Sequence, residues 1–412
     1  MEISYEPIEG KSKGYRNMLI VFGIVLAVFV TAYLVAYLRG FQVWGVNNAV
    51  PWGQLITFDI YFIGLSAGAI VVSSLGYVFK REEYKSIGRI AVFIGLLMMI
   101  GAMVCVLADL GRPEKFWRLF MFFYLNNMTS MFAINGILYG GYILLMMVYL
   151  GLVMEGKMKL AAIIGVIDVI WAIAVHTGTG AIFGFITTRD IMTSPIKPFE
   201  FVAAACTSGT ALVIILSFVA FKYCKRYLDK KVIISLGKLL AMIIIILAVM
   251  VLFDKLTHIY FPHREGTVFL FTGPYWWLFW IFQIGMGIVI PLIILFHPKA
   301  GQSVKWVLVA AASVVIGVLG ERAALVIPGT AQVQQLYPGE IQGIWGAAGV
   351  FPVTFWESMM SIGVVTLVAT LFVLGLKFLP LLPAQKVEEE PALEETPGEE
   401  APQEEAAAEE AS

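Results

Sequence analysis

Ten apolar runs, each long enough to cross a bilayer, dictate what this 412-residue chain can become. They fall at 18–38, 53–79, 87–108, 128–153, 160–186, 199–221, 232–253, 276–296, 304–327 and 354–378. The bilayer core offers no water to hydrogen-bond a backbone, so each run must satisfy its own amides and is predicted to be a helix. Composition agrees, with 59% hydrophobic and only 14% charged residues, against about 25% charged in soluble domains. The fold class is therefore all-α, a polytopic membrane protein with ten transmembrane helices.

Charge sets the orientation. The 21-residue first run follows Lys11, Lys13 and Arg16 and is too long for a cleavable signal, so it reads as the first span. With both termini in the cytoplasm, 19 lysines and arginines lie inside and 9 outside, as the positive-inside bias requires of a cell-membrane protein. The bases serve that orientation, so membrane lipid is expected around the body and no nucleic acid. The stretch 388–412 holds 11 of the 29 acids and no base, with no apolar face to fold around. The expected organisation is a cytoplasmic N-terminus at 1–17, a transmembrane domain at 18–380 and a disordered acidic cytoplasmic tail at 381–412.

Cys105, Cys206 and Cys224 are far apart and form no C-x-x-C, which argues against a cysteine-ligated iron–sulfur cluster or a covalently attached haem. His176 and His258 both approach the outer ends of spans. A single b-haem with two axial histidines is conceivable on that placement. Two stacked haems are not, because His263 and His297 fall in loops or at helix ends.

Polar residues inside the spans are expensive and mark function by default. Asp59, Asn135, His176, Gln283, Glu321, Arg322 and Glu357 all lie within about 12 Å of an outer helix end at 1.5 Å rise per residue. Six helices thus contribute at one depth, which predicts one polar cavity opening outward. On the second helix Asp59, Ser66 and Ser73 recur every seven residues and make a polar stripe. Gly64/Gly68 and Gly136/Gly140 are spaced for close helix packing. Deeper in, two readings stay open for Asp168 and Lys238: a buried ion pair, or a proton path from the cytoplasm. Asp109 and Arg112, at i and i+3, are spaced to pair and close the turn after the third helix.

A weak repeat is present. Ser66-Ala-Gly68 on the second helix matches Thr207-Ser-Gly209 on the sixth, and Asp109 and Asp254 end the helices that follow. Helices two to five and six to nine are then two four-helix bundles of like orientation, with two flanking helices.

Pro51-Trp-Gly…Phe58-Asp59 with the glycine-rich run to Gly68, Ala108-Asp109-Leu-Gly-Arg112 and His176 with its small residues to Gly184 form an ordered series. Phe355-Trp-Glu357…Ser361-Ile-Gly363 and Leu379-Pro-Leu-Leu-Pro383 extend it. Over about 40–380 the chain resembles the NrfD/PsrC-type, polysulfide reductase-like membrane subunits, and within them the ten-helix hydrogenase/Dsr/Hme-type branch. The resemblance implies a quinone-reactive subunit without haem or iron–sulfur cluster of its own, with menaquinone or menaquinol as substrate. It implies a ferredoxin-like iron–sulfur subunit and a multihaem cytochrome c as partners on the outer face. Members with Hdr-like cytoplasmic subunits and a cytochrome b subunit are described as menaquinol oxidoreductases. Family site residues carry over to Asp59, Asp109, Arg112, His176 and Glu357, whereas Glu321 and Arg322 match less clearly.

Quinol oxidation needs a base near each hydroxyl and an apolar slot. His176 and either Asp59 or Glu357 are the expected catalytic groups, with Ser66, Asn135 and Arg322 helping to hold the ring. The competing classes are a secondary transporter, which a parallel repeat with midplane charges would suit, and a passive or b-haem-containing membrane anchor.

Overall fold

The computed structural model describes residues 4–119, 121, 129–261, 264–332 and 349–384. Among them, ten helices are long and apolar enough to span a membrane. They are α1 (Lys13–Arg39), α2 (Gln54–Tyr77), α3 (Glu82–Asp109), α4 (Met131–Met154), α5 (Met158–Gly184), α6 (Lys197–Tyr223), α7 (Lys230–Tyr260), α8 (Leu278–Phe296), α9 (Val304–Ala331) and α10 (Phe355–Phe378). Polar side chains set several starts. Ser12, Ser130, Asp229 and Thr354 accept from the N–H groups of Tyr15, Ala133, Lys231 and Glu357, donors that a first helical turn leaves orphaned.

Helix α8 is wound as a π-helix over Leu278–Val289 before becoming α-helical at Ile290–Phe296. Pro291 has no N–H to give to the wide turn behind it. The Met286 carbonyl, five residues back, instead accepts from the Ser313 hydroxyl of α9 at 2.7 Å.

Helices α2, α3, α4 and α5 close into one ring, and α6, α7, α8 and α9 into a second. Helices α1 and α10 pack on each other, and α10 leans on α3. The two four-helix bundles with two flanking helices expected from the repeat are therefore present. Their contact is α2 against α6, where the matched triplets of the repeat meet. A Cβ added to Gly68 would lie 2.6 Å from the Thr210 nitrogen and 2.7 Å from the Gly209 Cα. Nothing larger than hydrogen fits, so the two backbones touch. The Gly136/Gly140 pair behaves differently: a Cβ on Gly140 meets nothing within 4 Å, so it is no packing glycine.

The termini share one end of the molecule. Strand β1 (Tyr5–Glu6) pairs antiparallel with β2 (Leu382–Pro383). Arg89 of α3 fastens this strap, donating to the Pro380 and Val153 carbonyls at 3.1 Å each, with its guanidinium 3.7 Å above the Tyr5 ring. Arg226 adds a bond to the Ala384 carbonyl and an ion pair with Glu6 at 3.4 Å. Residues 381–384, assigned from sequence to the acidic tail, are thus hydrogen-bonded structure. The disordered stretch expected beyond them falls outside the described residues.

Replacing Gly68 with leucine drives a side chain into the α6 backbone, at an expected cost of about 3 kcal/mol. Thermal unfolding of the detergent-purified protein should fall clearly for Gly68→Leu and remain unchanged for Gly140→Leu.

Candidate functional site

A slot of about 540 Å³, including its open mouth, lies inside the first bundle at the end opposite the termini. Helices α2, α3, α4 and α5 and the segment around Phe116 and Leu119 enclose it. Its wall is apolar and aromatic: Trp52, Ile56, Met103, Phe132 and Phe183 among others. Trp52 and Phe183 meet edge to face, with centroids 5.6 Å apart. Four polar side chains interrupt this wall, namely Asp59, Asn135, Tyr139 and Thr179.

Two of the four are already committed. Thr179 donates to the Val175 carbonyl at 2.8 Å, so the Tyr139 hydroxyl must donate to Thr179, also at 2.8 Å. The other two are not. Asn135 donates through Nδ2 to the Met131 carbonyl at 2.8 Å, leaving Oδ1 without a partner. Asp59 Oδ1 also has none. Both residues are buried, Asp59 at 6% and Asn135 at 1% exposure. Two orphaned acceptors on an apolar wall call for a ligand with two donors, since an unpaired buried acceptor costs about 1–3 kcal/mol.

The remaining candidates surround the slot without lining it. Glu357 of α10 accepts the Gln54 N–H through Oε1 at 2.6 Å, putting its carboxylate at the N-terminus of α2, where the helix dipole favours it. Its Oε2 is unpartnered. Asp109, closing α3, lies within electrostatic reach of both Asp59 and Glu357. The pairing of Asp109 with Arg112 is not formed among the described residues; Gly111 at φ +77° turns the chain instead.

His176 spans α5 and α2. Its Nδ1 faces the Ala172 carbonyl at 2.6 Å and its Nε2 the Ile63 carbonyl at 2.8 Å. His258 repeats the arrangement, with the Asp254 carbonyl at 2.7 Å and the Thr193 carbonyl at 2.6 Å. Each of these rings therefore lies between two backbone carbonyls, and axial ligation of a haem would require moving one of them. Among the described residues, no three His, Cys, Asp or Glu side chains converge as a metal site.

Arg322 of α9 stacks 3.9 Å from the Phe201 ring and pairs with Glu321 at 3.3 Å. A Cβ on Gly64 would sit 3.8 Å from its Nη2, which places the guanidinium between the bundles. Ser66 lies one rung below Asp59, fully buried beside Tyr142. Asp168 is buried with both carboxylate oxygens unpartnered. Lys238 does not pair with it and is exposed on α7 of the other bundle. The buried ion pair of Asp168 with Lys238 is therefore not formed, because a long lysine stem lets the ammonium leave an apolar environment.

The single polar cavity expected from sequence is in fact divided. Gln283 and Glu321 line a second, smaller cavity of about 290 Å³ in the other bundle, together with Lys197, Glu200 and Lys255. There Lys197 binds Glu200 at 2.6 Å and Asp254 at 3.1 Å, and Lys255 binds Asp254 at 2.8 Å. Sequence reasoning placed Lys197 and Lys255 in outer loops and passed over Glu200. The signal was present, since Glu200 precedes Gly209 by the nine residues that separate Asp59 from Gly68.

Known proteins share this chain's sequence over most of its length. The family model described as polysulphide reductase, NrfD, matches residues 42–334. An Hdr-like menaquinol oxidoreductase integral membrane subunit from Archaeoglobus fulgidus is 32% identical over 94% of this chain and 99% of its own length. A selenate reductase subunit from Mesobacillus selenatarsenatis is 27% identical over 91% of this chain and 97% of its own. A menaquinone reductase integral membrane subunit from Nitratidesulfovibrio vulgaris is 24% identical, over 84% and 87% respectively. With ten spanning helices and a family match covering more than half its length, the chain belongs to the polysulphide reductase NrfD family.

Proposed function

We propose that the chain is the quinone-interacting integral membrane subunit of a multisubunit oxidoreductase complex, and that its slot binds menaquinol. The observation that carries this reading is the pair of unpartnered acceptors, Asp59 Oδ1 and Asn135 Oδ1, on an otherwise apolar wall. A quinol presents a flat apolar ring with two hydroxyl donors. The oxidised quinone has only acceptors, and could be held here only by the second Asn135 N–H or by a protonated Asp59. The names of two relatives, a menaquinol oxidoreductase subunit and a menaquinone reductase subunit, support the choice of substrate.

Oxidation of a quinol releases two electrons and two protons. In this reading Asp59 accepts the hydroxyl proton as general base while Asn135 holds the ring. The two electrons pass to one-electron carriers of a ferredoxin-like iron–sulfur subunit and/or a multihaem cytochrome c at the outer face. Asp59 releases the first proton and then takes the second. The quinone formed has lost both donors, which weakens its hold and favours release. Glu357 and His176 act on the slot through α2, which they hold at Gln54 and Ile63. Hdr-like cytoplasmic subunits and a cytochrome b subunit are the partners at the termini end.

Asp59→Asn removes the base while retaining the shape, so kcat for quinol oxidation by the assembled complex should fall about 10²- to 10³-fold. Steady-state assays with a soluble menaquinol analogue measure this; an unchanged kcat would exclude Asp59 as the base. Asn135→Leu removes one acceptor and should raise KM about tenfold, the loss of roughly 1.4 kcal/mol. Its effect on kcat should be smaller than that of Asp59→Asn.

A further inference from the structure

Three arginines among the described residues are buried, namely Arg89, Arg226 and Arg322. The first two donate to backbone carbonyls of the termini strap. Arg322 is the most deeply buried, at 1% exposure, yet its Nε, Nη1 and Nη2 have no hydrogen-bond partner. What holds its guanidinium is one charge, Glu321 at 3.3 Å, and one ring, Phe201 at 3.9 Å. A guanidinium inside a span is expensive and marks function by default. The ring contact shows where that function lies.

Phe201 of α6 is 2% exposed and stacks on Phe183 of α5, with centroids 5.9 Å apart and planes 24° from parallel. Phe183 in turn meets Trp52 edge to face, and both line the slot. Ile56 and Ile60 of α2, also on the slot wall, pack in the same apolar cluster as the two phenyl rings. A column of side chains therefore runs from Arg322 on α9, through Phe201 and Phe183, to Trp52 at the slot. It crosses from the second bundle to the first. Phe201 also lines the smaller cavity, so the two stacked rings stand between the charged cluster and the slot.

The guanidinium is suited to fixing this column. It is planar, and its charge is drawn to the face of an aromatic ring, most strongly where water is excluded. A cation seated on one face of Phe201 sets the tilt of that ring, and close packing passes the tilt to Phe183. Its own position is set by the slot's helix. A Cβ on Gly64 of α2 would lie 3.8 Å from Nη2, and His176, which ties α2 to α5, is within electrostatic reach. Glu321 balances the charge and leaves the ring face to the cation.

We propose that Arg322 is a positioning residue for the slot: through Phe201 and Phe183 it fixes the aromatic wall against which the quinol ring lies, without touching that ring. The proposal rests on the quinol reading of the slot. It replaces the direct hold on the ring expected of Arg322 from sequence, and it gives the second bundle a part in binding at the first.

The test uses the assembled complex, with a soluble menaquinol analogue for turnover and a non-oxidisable one for binding. Arg322→Lys keeps the charge beside Glu321 but loses the plane, whereas Phe201→Leu keeps apolar bulk but loses the ring. Each should raise KM and the analogue's Kd about fivefold. In both, kcat should stay close to that of the unmodified complex, because Asp59 remains in place. The double variant should be no worse than either single one, since both break the same contact. Phe201→Tyr retains the ring and should restore tight binding; with Phe201→Leu it gives the same comparison should Arg322→Lys fail to assemble. Unchanged KM and binding in Arg322→Lys and Phe201→Leu, or losses that multiply in the double variant, overturn the positioning role. The slot reading then stands as long as Asn135→Leu still raises KM. Unchanged turnover and binding in both Asn135→Leu and Asp59→Asn overturn the slot reading itself.

Discussion

The contact of α2 with α6 at Gly68 and Gly209 is the constraint on which the architecture depends. A membrane supplies little hydrophobic drive between helices, so their association rests on close packing. Here two backbones meet without a side chain between them. Each glycine belongs to one copy of the repeat, so the contact joins equivalent positions of two bundles that run in the same sense. Nearly every residue of α2 is buried as a result. That burial is what gives Asp59 its value, because a carboxyl group on a lipid-exposed helix would face no organised partner.

Each bundle builds a polar pocket at the same level, and the two are chemically different. In the second, Lys197, Lys255, Asp254 and Glu200 neutralise one another at 2.6–3.1 Å. A buried charge left without its partner is strongly destabilising, so a closed network of this kind persists as structure. In the first, the polar groups are few and two acceptors are left over. The paired cluster leaves over one oxygen, Asp254 Oδ1, whereas the orphaned acceptors Asp59 and Asn135 line an open apolar slot. Glu357 and His176 serve the same slot from behind, one capping α2 and the other tying it to α5.

The ten spans, the two bundles and the tight packing at Gly68 were legible in the sequence because hydropathy and small-residue spacing act locally, whereas the same spacing at Gly140 marks no contact. Asp59 and Asn135 were legible by depth alone. The division of the polar layer was not, because depth along a helix says nothing about which bundle a face belongs to. Lys197 and Lys255 were misplaced because the apolar runs stop at 199 and 253, whereas α6 and α7 extend to include both residues. Mutual pairing lets a helix carry charge past the edge of its apolar run. Lys238 erred in the opposite direction, since it lies within an apolar run yet is exposed.

The most direct test of the slot is the structure of the assembled complex with a non-oxidisable menaquinol analogue bound. The ring should lie between α2 and α4, with its two donors within hydrogen-bonding distance of Asp59 and Asn135. A ring bound instead beside Glu200 and Gln283 in the second bundle would contradict the account.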